Sequence, residues 1–428
     1  MKYRVSVLLV TGMLLLFLAS FFLPAPQAAE NSENRTMATF RMVLYPEKGS
    51  VVYHNSPVER LDAALSDQFP FRESMVRRYL RIFNAFENLS FSLAARLTAP
   101  QEKQYSLHAL GNYVSIADTG YITAFPAVKA LDAAYVRSHV QQLEVLHQSY
   151  PDLRTYVYFV SQAYDTSWFD RFIGTKTADH YGDILSVLPA YVKSDHLVYR
   201  DLDDYTDLHY RTDHHWNHRG AQRGYEDVFA MLQQDFPLGE IRIPKAENPV
   251  SQIYDFVYRG SYGKSLGSLY TGTYDDFSFY EYDLPVRETA VLNPETYEEI
   301  PVAAMGLQED YRVGTINKAL STDHYISMYG TAVDEAGNRY ADSSYPFIIH
   351  NCEGCGSNLL ICGDSLARPL RDLLASHFDT TVYIDYRILS QFPIDRIIEK
   401  YQIDALLICS NSTMWSSEEY MFMFEEAG

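Results

Sequence analysis

From Asn358 to Cys409 the chain alternates short apolar runs with amphipathic stretches. "NLLICG", "TVYID" and "DALLIC" have strand composition, while "SLARPLRDLLASHF" and "IDRIIEKY" between them carry apolar residues at helical spacing. The pattern predicts βαβαβ, the unit of a doubly wound parallel sheet. It commits this part of the chain to an α/β architecture. In such sheets ligands bind in the crevice at the carboxyl ends of the strands.

An earlier region carries the same alternation. "KALDAAYVRSHVQQLEVLHQ" (129–148) predicts a helix with Asp132 as an early cap, and "TYVYFV" (155–160) a buried strand. "HYGDILSVLPAYVK" reads as a further helix and "LVYRDL" (197–202) as a further strand. Upstream, "NYVSIADTGYI" alternates around "ADTG" and predicts a short hairpin, preceded by a helical region that Pro70 interrupts. Residues 249–345, rich in Tyr, Gly, Asp and Thr, read as a mostly β insertion. The expected organisation is therefore an N-terminal segment (1–29), a linker and helical region (30–109), a core in two parts (110–248 and 346–428) and the insertion between them.

At the N-terminus, Lys2 and Arg4 precede the uncharged run Val5–Leu23, and "PAPQAAE" follows it with small residues suited to cleavage. The run suits a signal peptide and, at close to the ~20 residues a bilayer requires, also a signal-anchor. Either reading exports the rest of the chain to the cell surface, periplasm or medium, with membrane contact confined to this segment. A formal charge of −20 opposes attraction to nucleic acid or anionic membranes. Cys352 and Cys355 form a "CEGC" able to close a small disulfide, whereas Cys362 and Cys409 sit in apolar runs as core thiols.

Two motifs carry chemistry. In "LLICGDSLARPL", Gly363, Asp364 and Ser365 fall between a strand and a helix, which puts Ser365 at a strand's carboxyl end. Ser365 is a candidate nucleophile there; the plainer reading is a helix cap. A nucleophilic serine needs a base, and the base an orienting acid. "RTDHHWNHRGA" offers both: in an extended segment Asp213 and His215 share a face and His214 points away. Asp213 would hold Nδ1 of His215, leaving Nε2 for Ser365. Trp216 anchors the loop, and Asn217 caps the helix that follows. The rival readings are a structural loop and a metal site from Asp213, His214, His215 and His218. Against the metal stand the tendency of adjacent histidines to point apart and the absence of H-E-x-x-H spacing.

Taken together these segments resemble the DHHW family, named for the tetrapeptide Asp213–Trp216. The resemblance rests on "DQFPFR" (67–72), "RTDHHWNHRGA", "GSYGKSLGS" (260–268), "ICGDS" and "YIDYR" (383–387), in that order. That family is similar to the SGNH-hydrolase-like proteins that O-acetylate alginate and other exopolysaccharides. The resemblance implies an SGNH-hydrolase-like, flavodoxin-like three-layer core with a parallel sheet. It also implies Asp213 as orienting acid, His215 as base and Ser365 as nucleophile, with Gly363, Asp364 and Trp216 in support and no metal or cofactor. Arg387 is either a substrate contact or part of a structural ion pair. The expected function is an extracytoplasmic O-acetyltransferase with a polysaccharide acceptor and an acetyl donor supplied by a membrane-bound acyltransferase. A carbohydrate esterase with the same triad and a noncatalytic polysaccharide-binding protein are the alternatives.

Overall fold

The computed structural model describes residues 38–45, 56–68, 107–110, 113–116, 119–124, 131–166, 180–249, 260–266, 278–285, 288–293, 296–301, 346–350, 356–385, 388–389, 392–416 and 421–424, together with isolated residues and residue pairs elsewhere. The N-terminal apolar run, Pro70, Cys352, Cys355 and Arg387 lie outside the described residues, apart from Thr11 and Gly12 of the run. Among the described residues no helix is long and apolar enough to cross a membrane. The chain divides into two units.

The first unit comprises Met1–Ile122 and Arg259–Thr273. Its helix α1 (Pro57–Asp67) opens on a capping box, in which Ser56 accepts from the Glu59 N–H and Glu59 accepts from the Ser56 N–H. Both helix-end donors are thereby satisfied. At the other end the buried Asp67 carboxylate accepts from Ala38 N–H at 2.8 Å. Strands β1 (Leu107–Leu110), β2 (Tyr113–Ile116) and β3 (Tyr121–Ala124, which crosses the boundary between the units) form a three-stranded sheet. Gly120, at φ 75°, supplies the left-handed residue in the turn between β2 and β3.

The second unit comprises Thr123–Tyr258 and Tyr274–Gly428 and holds the chemistry. Its elements in chain order are α2 (Ala133–Ser149), β4 (Arg154–Phe159), α3 (His180–Leu185), β5 (Val192–His196), α4 (Leu202–Leu208), α5 (His218–Leu232), β6 (Ala246–Pro249), β7 (Ser278–Glu281), β8 (Glu288–Leu292) and β9 (Glu299–Pro301). After a break come β10 (Phe347–His350), β11 (Asn358–Gly363), α6 (Arg368–Ala375), β12 (Thr380–Asp385), α7 (Ile394–Tyr401) and β13 (Ala405–Ser410). An 8-stranded sheet runs in the order β5-β4-β13-β11-β12-β10-β8-β9. The strands from β5 to β12 are parallel; β10, β8 and β9 continue the sheet antiparallel. Strands β8 and β9 come from the tyrosine-rich segment, so part of that segment extends the main sheet.

Both faces of the parallel strands are covered, which is why β11 and β13 read as unbroken apolar runs rather than alternating ones. Val157, Phe159, Leu360, Cys362, Val382, Ile384, Leu406 and Ile408 pack in one cluster with Val136, Leu143 and Leu146 of α2 and Ile394, Ile397 and Ile398 of α7. On the opposite face, Tyr158 of β4 donates to Asp227 of α5 at 2.8 Å, and Tyr156 bonds Asp235 just past that helix. Helix, sheet and helix thus form the three layers expected. Cys362 and Cys409 are buried free thiols.

One strand falls elsewhere than predicted. The chain is helical only to Leu185, and the strand is Val192–His196, upstream of "LVYRDL". Lys193, Ser194, Asp195 and His196 are tolerated because β5 is the edge of the sheet. A polar edge strand gives no apolar run to detect.

Candidate active site

The strand order places the site. From β11 the chain moves one way in the sheet to β12 and then back past β11 to β13. The carboxyl ends of β11 and β13 therefore flank a topological switch point, where neighbouring connections diverge and leave a crevice. Ser365 follows β11, and Asn411 follows β13.

Gly363 is required for space rather than for an unusual backbone angle. A Cβ there would lie 2.3 Å from Ala367 Cβ and 2.6 Å from the Cys409 carbonyl oxygen. Asp364 then fixes the turn. Its Oδ1 accepts from Leu366 N–H at 2.8 Å and its backbone carbonyl from Ala367 N–H at 3.1 Å. Its Oδ2 faces the Asn411 N–H at 3.5 Å, tying the turn to the end of β13. Burial pushes the Asp364 carboxyl up to about 6, opposed by the Leu366 N–H and by nearby His215. Below the turn, the Tyr383 hydroxyl donates to the carbonyls of Asp364 (3.0 Å) and Gly363 (3.3 Å). Arg368 pairs with Asp385 at 3.0 Å, both buried. Helix α6 starts at Arg368 with Ala367 as its cap residue, so Ser365 does not cap it.

"RTDHHWN" comes to the same place from α4. Its ends are clamped: Asn217 N–H donates to the Leu208 carbonyl at 2.8 Å, Tyr210 N–H to the His215 carbonyl at 3.2 Å, and His209 and Trp216 form an antiparallel bridge. Asn217 Oδ1 caps α5 by accepting from the Arg219 and Gly220 N–H groups. Trp216 is buried against α5, and a Cβ on Gly224 would lie 2.4 Å from the indole Cζ3. The two glycines of "RGAQRG" leave room for Trp216 and for the Leu208 carbonyl. Their spacing of four residues, about one helical turn, is the packing signal the sequence carries.

Within this clamp, Asp213 Oδ1 accepts from the His215 backbone N–H at 3.1 Å and lies 2.6 Å from His215 Nδ1. On the other side of the ring, His215 Nε2 lies 2.8 Å from Ser365 Oγ, 150 positions away in the chain. A carboxylate beside Nδ1 fixes the proton there, so Nε2 presents its lone pair to the serine hydroxyl. Asp213 and His215 are almost completely buried.

The expectation that His214 points away fails. It assumed an extended backbone, whereas the Asp213 side chain bends the chain by bonding two residues ahead. His214 Nδ1 lies 3.2 Å from the same Asp213 Oδ1, and the two imidazoles are 3.8 Å apart. Burial and His215 beside it hold the His214 imidazole below its ordinary value, while the 35% of its side chain left exposed tempers the effect. His218 is turned elsewhere and bonds Glu247 at 3.0 Å.

Asn411 was not singled out in the sequence. Its Oδ1 accepts from Thr413 N–H at 2.9 Å and from the Thr413 hydroxyl, which fixes the amide's orientation. Nδ2 is left as a donor with no acceptor among the described residues. The signal, a polar "SNST" directly after an apolar strand, was legible but common.

The comparisons with known proteins bear on the fold. No protein-family model matches the sequence, and no curated protein is significantly similar to it. Solved structures do match. PatB1 from Bacillus cereus, determined with a sulfonyl adduct, has a TM-score of 0.52 at 16% identity over 73% of this chain and 99% of its own. A DHHW family protein from Eubacterium siraeum has a TM-score of 0.50 at 13% identity over 73% of this chain and 95% of its own. This chain shares their fold. At these identities the comparison speaks for the α/β architecture and leaves the chemistry to the residues.

Proposed function

We propose that the chain is an O-acetyltransferase that acts outside the cytoplasm and acetylates polysaccharide hydroxyls through an acyl-serine intermediate. The observation that carries the reading is the continuous line from Asp213 Oδ1 to His215 Nδ1 (2.6 Å) and from His215 Nε2 to Ser365 Oγ (2.8 Å). A serine hydroxyl is a poor nucleophile until a base in hydrogen-bond reach takes its proton.

His215 takes the Ser365 proton as Oγ attacks the acetyl carbonyl, and Asp213 stabilises the imidazolium so formed. The negative charge that develops on the carbonyl oxygen needs donors fixed in advance. Asn411 Nδ2 is one and the Ser365 backbone N–H is another, since neither is bonded to an acceptor among the described residues. As the donor's leaving group departs, His215 returns the proton to it. The acyl-serine remains. A sugar hydroxyl then loses its proton to His215 and attacks the acyl carbon, which releases the acetylated sugar and restores Ser365. Export follows from the basic N-terminus and the apolar run Val5–Leu23. On the exported side of a membrane an acetyl donor has to be handed across, so a membrane-bound acyltransferase is the expected partner.

The test is to incubate the protein with a chromogenic acetyl ester, with and without an oligosaccharide. Ester turnover accompanied by acetylated oligosaccharide is the expected result, and Ser365→Ala should lose both. Turnover that yields acetate alone would make the protein an esterase. Unchanged turnover in Ser365→Ala would remove the serine from the mechanism altogether.

A further inference from the structure

We propose that Asp213, His214 and His215 form a zinc-binding site, and that zinc bound there switches the serine off. The three residues each offer a ligand atom, and these atoms lie within 4.8 Å of one another. The consequence for Ser365 rests on the function proposed above; the metal site itself does not.

The donor separations are within reach of what zinc requires. Tetrahedral zinc with ligands at ~2.0–2.1 Å keeps neighbouring donor atoms about 3.3 Å apart. Asp213 Oδ1 is 3.2 Å from His214 Nδ1 and 2.6 Å from His215 Nδ1. The second distance is a hydrogen bond that must open by about 0.7 Å for a metal to replace its proton. One carboxylate and two imidazoles leave a fourth position for water, the pattern of an open zinc site. The exposed third of His214 gives a route in from solvent. The clamp at Leu208–Asn217 and the buried Trp216 hold the backbone that presents all three ligands. This presentation is what consecutive ligands in an extended or helical segment would lack.

The effect on catalysis follows from the imidazole itself. Neutral His215 carries one N–H, placed on Nδ1 by Asp213, and Nε2 is the base. When zinc takes the Nδ1 lone pair, the remaining proton must sit on Nε2. Nε2 then donates to Ser365 Oγ and can no longer accept its proton. The proton moves from one nitrogen to the other, so neither oxidant nor reductant is involved. Zinc also takes up the Asp213 carboxylate that would have stabilised the imidazolium. His214 would hold the metal but lies off the line from Asp213 through His215 to Ser365, so it is the residue that best separates the two roles.

The experiment uses the full chain. In Ser365→Ala protein, cobalt(II) should give the visible absorption of a tetrahedral nitrogen and oxygen site, and titrated zinc should displace it with a stoichiometry of one. This arm does not depend on turnover. His214→Ala should weaken zinc by at least the ~10–100-fold that loss of an outer-shell partner costs a metal site. In the active protein, micromolar zinc should inhibit ester turnover, EDTA should restore it, and His214→Ala should raise the zinc concentration that halves its own turnover by the same factor by which it weakens zinc binding. Absence of the cobalt spectrum in Ser365→Ala, or zinc affinity unchanged by His214→Ala, would overturn the site. Zinc bound in this way with turnover undiminished would overturn the switch. Lack of any turnover in zinc-free parent protein would count against the proposed function and leave the binding result standing.

Discussion

Replacing Asp213 by Asn keeps the size of the side chain and an oxygen able to accept the His215 backbone N–H, so it isolates the charge. In the parent, Oδ1 lies 2.6 Å from His215 Nδ1, with 4% and 8% of the two side chains exposed. Setting the charge centres about 4 Å apart and the effective dielectric near 20 gives about 4 kcal/mol of stabilisation for the imidazolium. At 1.36 kcal/mol per tenfold in rate, that is about a thousandfold. An amide can also turn its NH2 toward Nδ1 and favour the wrong tautomer, which extends the expected loss toward ~10⁴. Steady-state kinetics on a chromogenic acetyl ester should therefore show kcat lower by about 10³–10⁴, KM little changed and the denaturation midpoint close to the parent's. A variant within about tenfold of the parent would mean that the carboxylate stabilises no charge in the transition state, and the triad account would fail.

Three further outcomes follow from the same geometry. Asn411→Ala should lower kcat by about 10²–10³ if its Nδ2 meets the developing oxyanion, and a loss confined to KM would assign it to substrate binding instead. Gly224→Ala should destabilise the fold by about 1–3 kcal/mol in urea titrations, because the added methyl would lie 2.4 Å from Trp216 Cζ3; equal or greater stability would show that the indole has room to move. His377 is fully buried, bonded to Tyr225 and the Leu238 carbonyl, and pushed down to about 4 by burial. Between pH ~6.5 and 4 the unfolded chain binds its proton and the folded chain does not. The contribution of His377 to stability should then be full above pH ~6.5 and fall by about 1.4 kcal/mol per unit as the pH drops through that window, against an opposite contribution from Asp364, whose carboxyl is pushed up to about 6. His377→Gln should remove that share of the slope, and an unchanged slope would mean the group titrates alike in both states.

The sequence carried the sheet's middle but not its edges. β11, β12 and β13 are buried on both faces, so their composition is unmistakable, and the crossovers between them leave only parallel pairing. β5 announces itself poorly because an edge strand can afford Lys193 and Asp195. That β8 and β10 pair antiparallel follows from contacts distant in sequence, which no local pattern encodes. At the site, residue identity was legible and direction was not. Asp213, His215 and Ser365 stand out as a set because acid, base and nucleophile have complementary chemistry. His214 was misplaced because period-two reasoning holds only for extended backbone, and the Asp213 side chain bends its own segment. Gly363 shows the same limit. Its need is room for Ala367 and Cys409, a packing fact that becomes visible only once β11, β13 and α6 are assembled.

In the proposed reaction Ser365 carries the acyl group. The most direct measurement is to quench the full chain rapidly during turnover of an acetyl ester and map its peptides by mass spectrometry. One acetyl group is expected on the peptide holding Ser365, absent from Ser365→Ala and discharged on adding an acceptor oligosaccharide. Turnover with no acetyl on that serine, or with the acetyl on another residue, would contradict it.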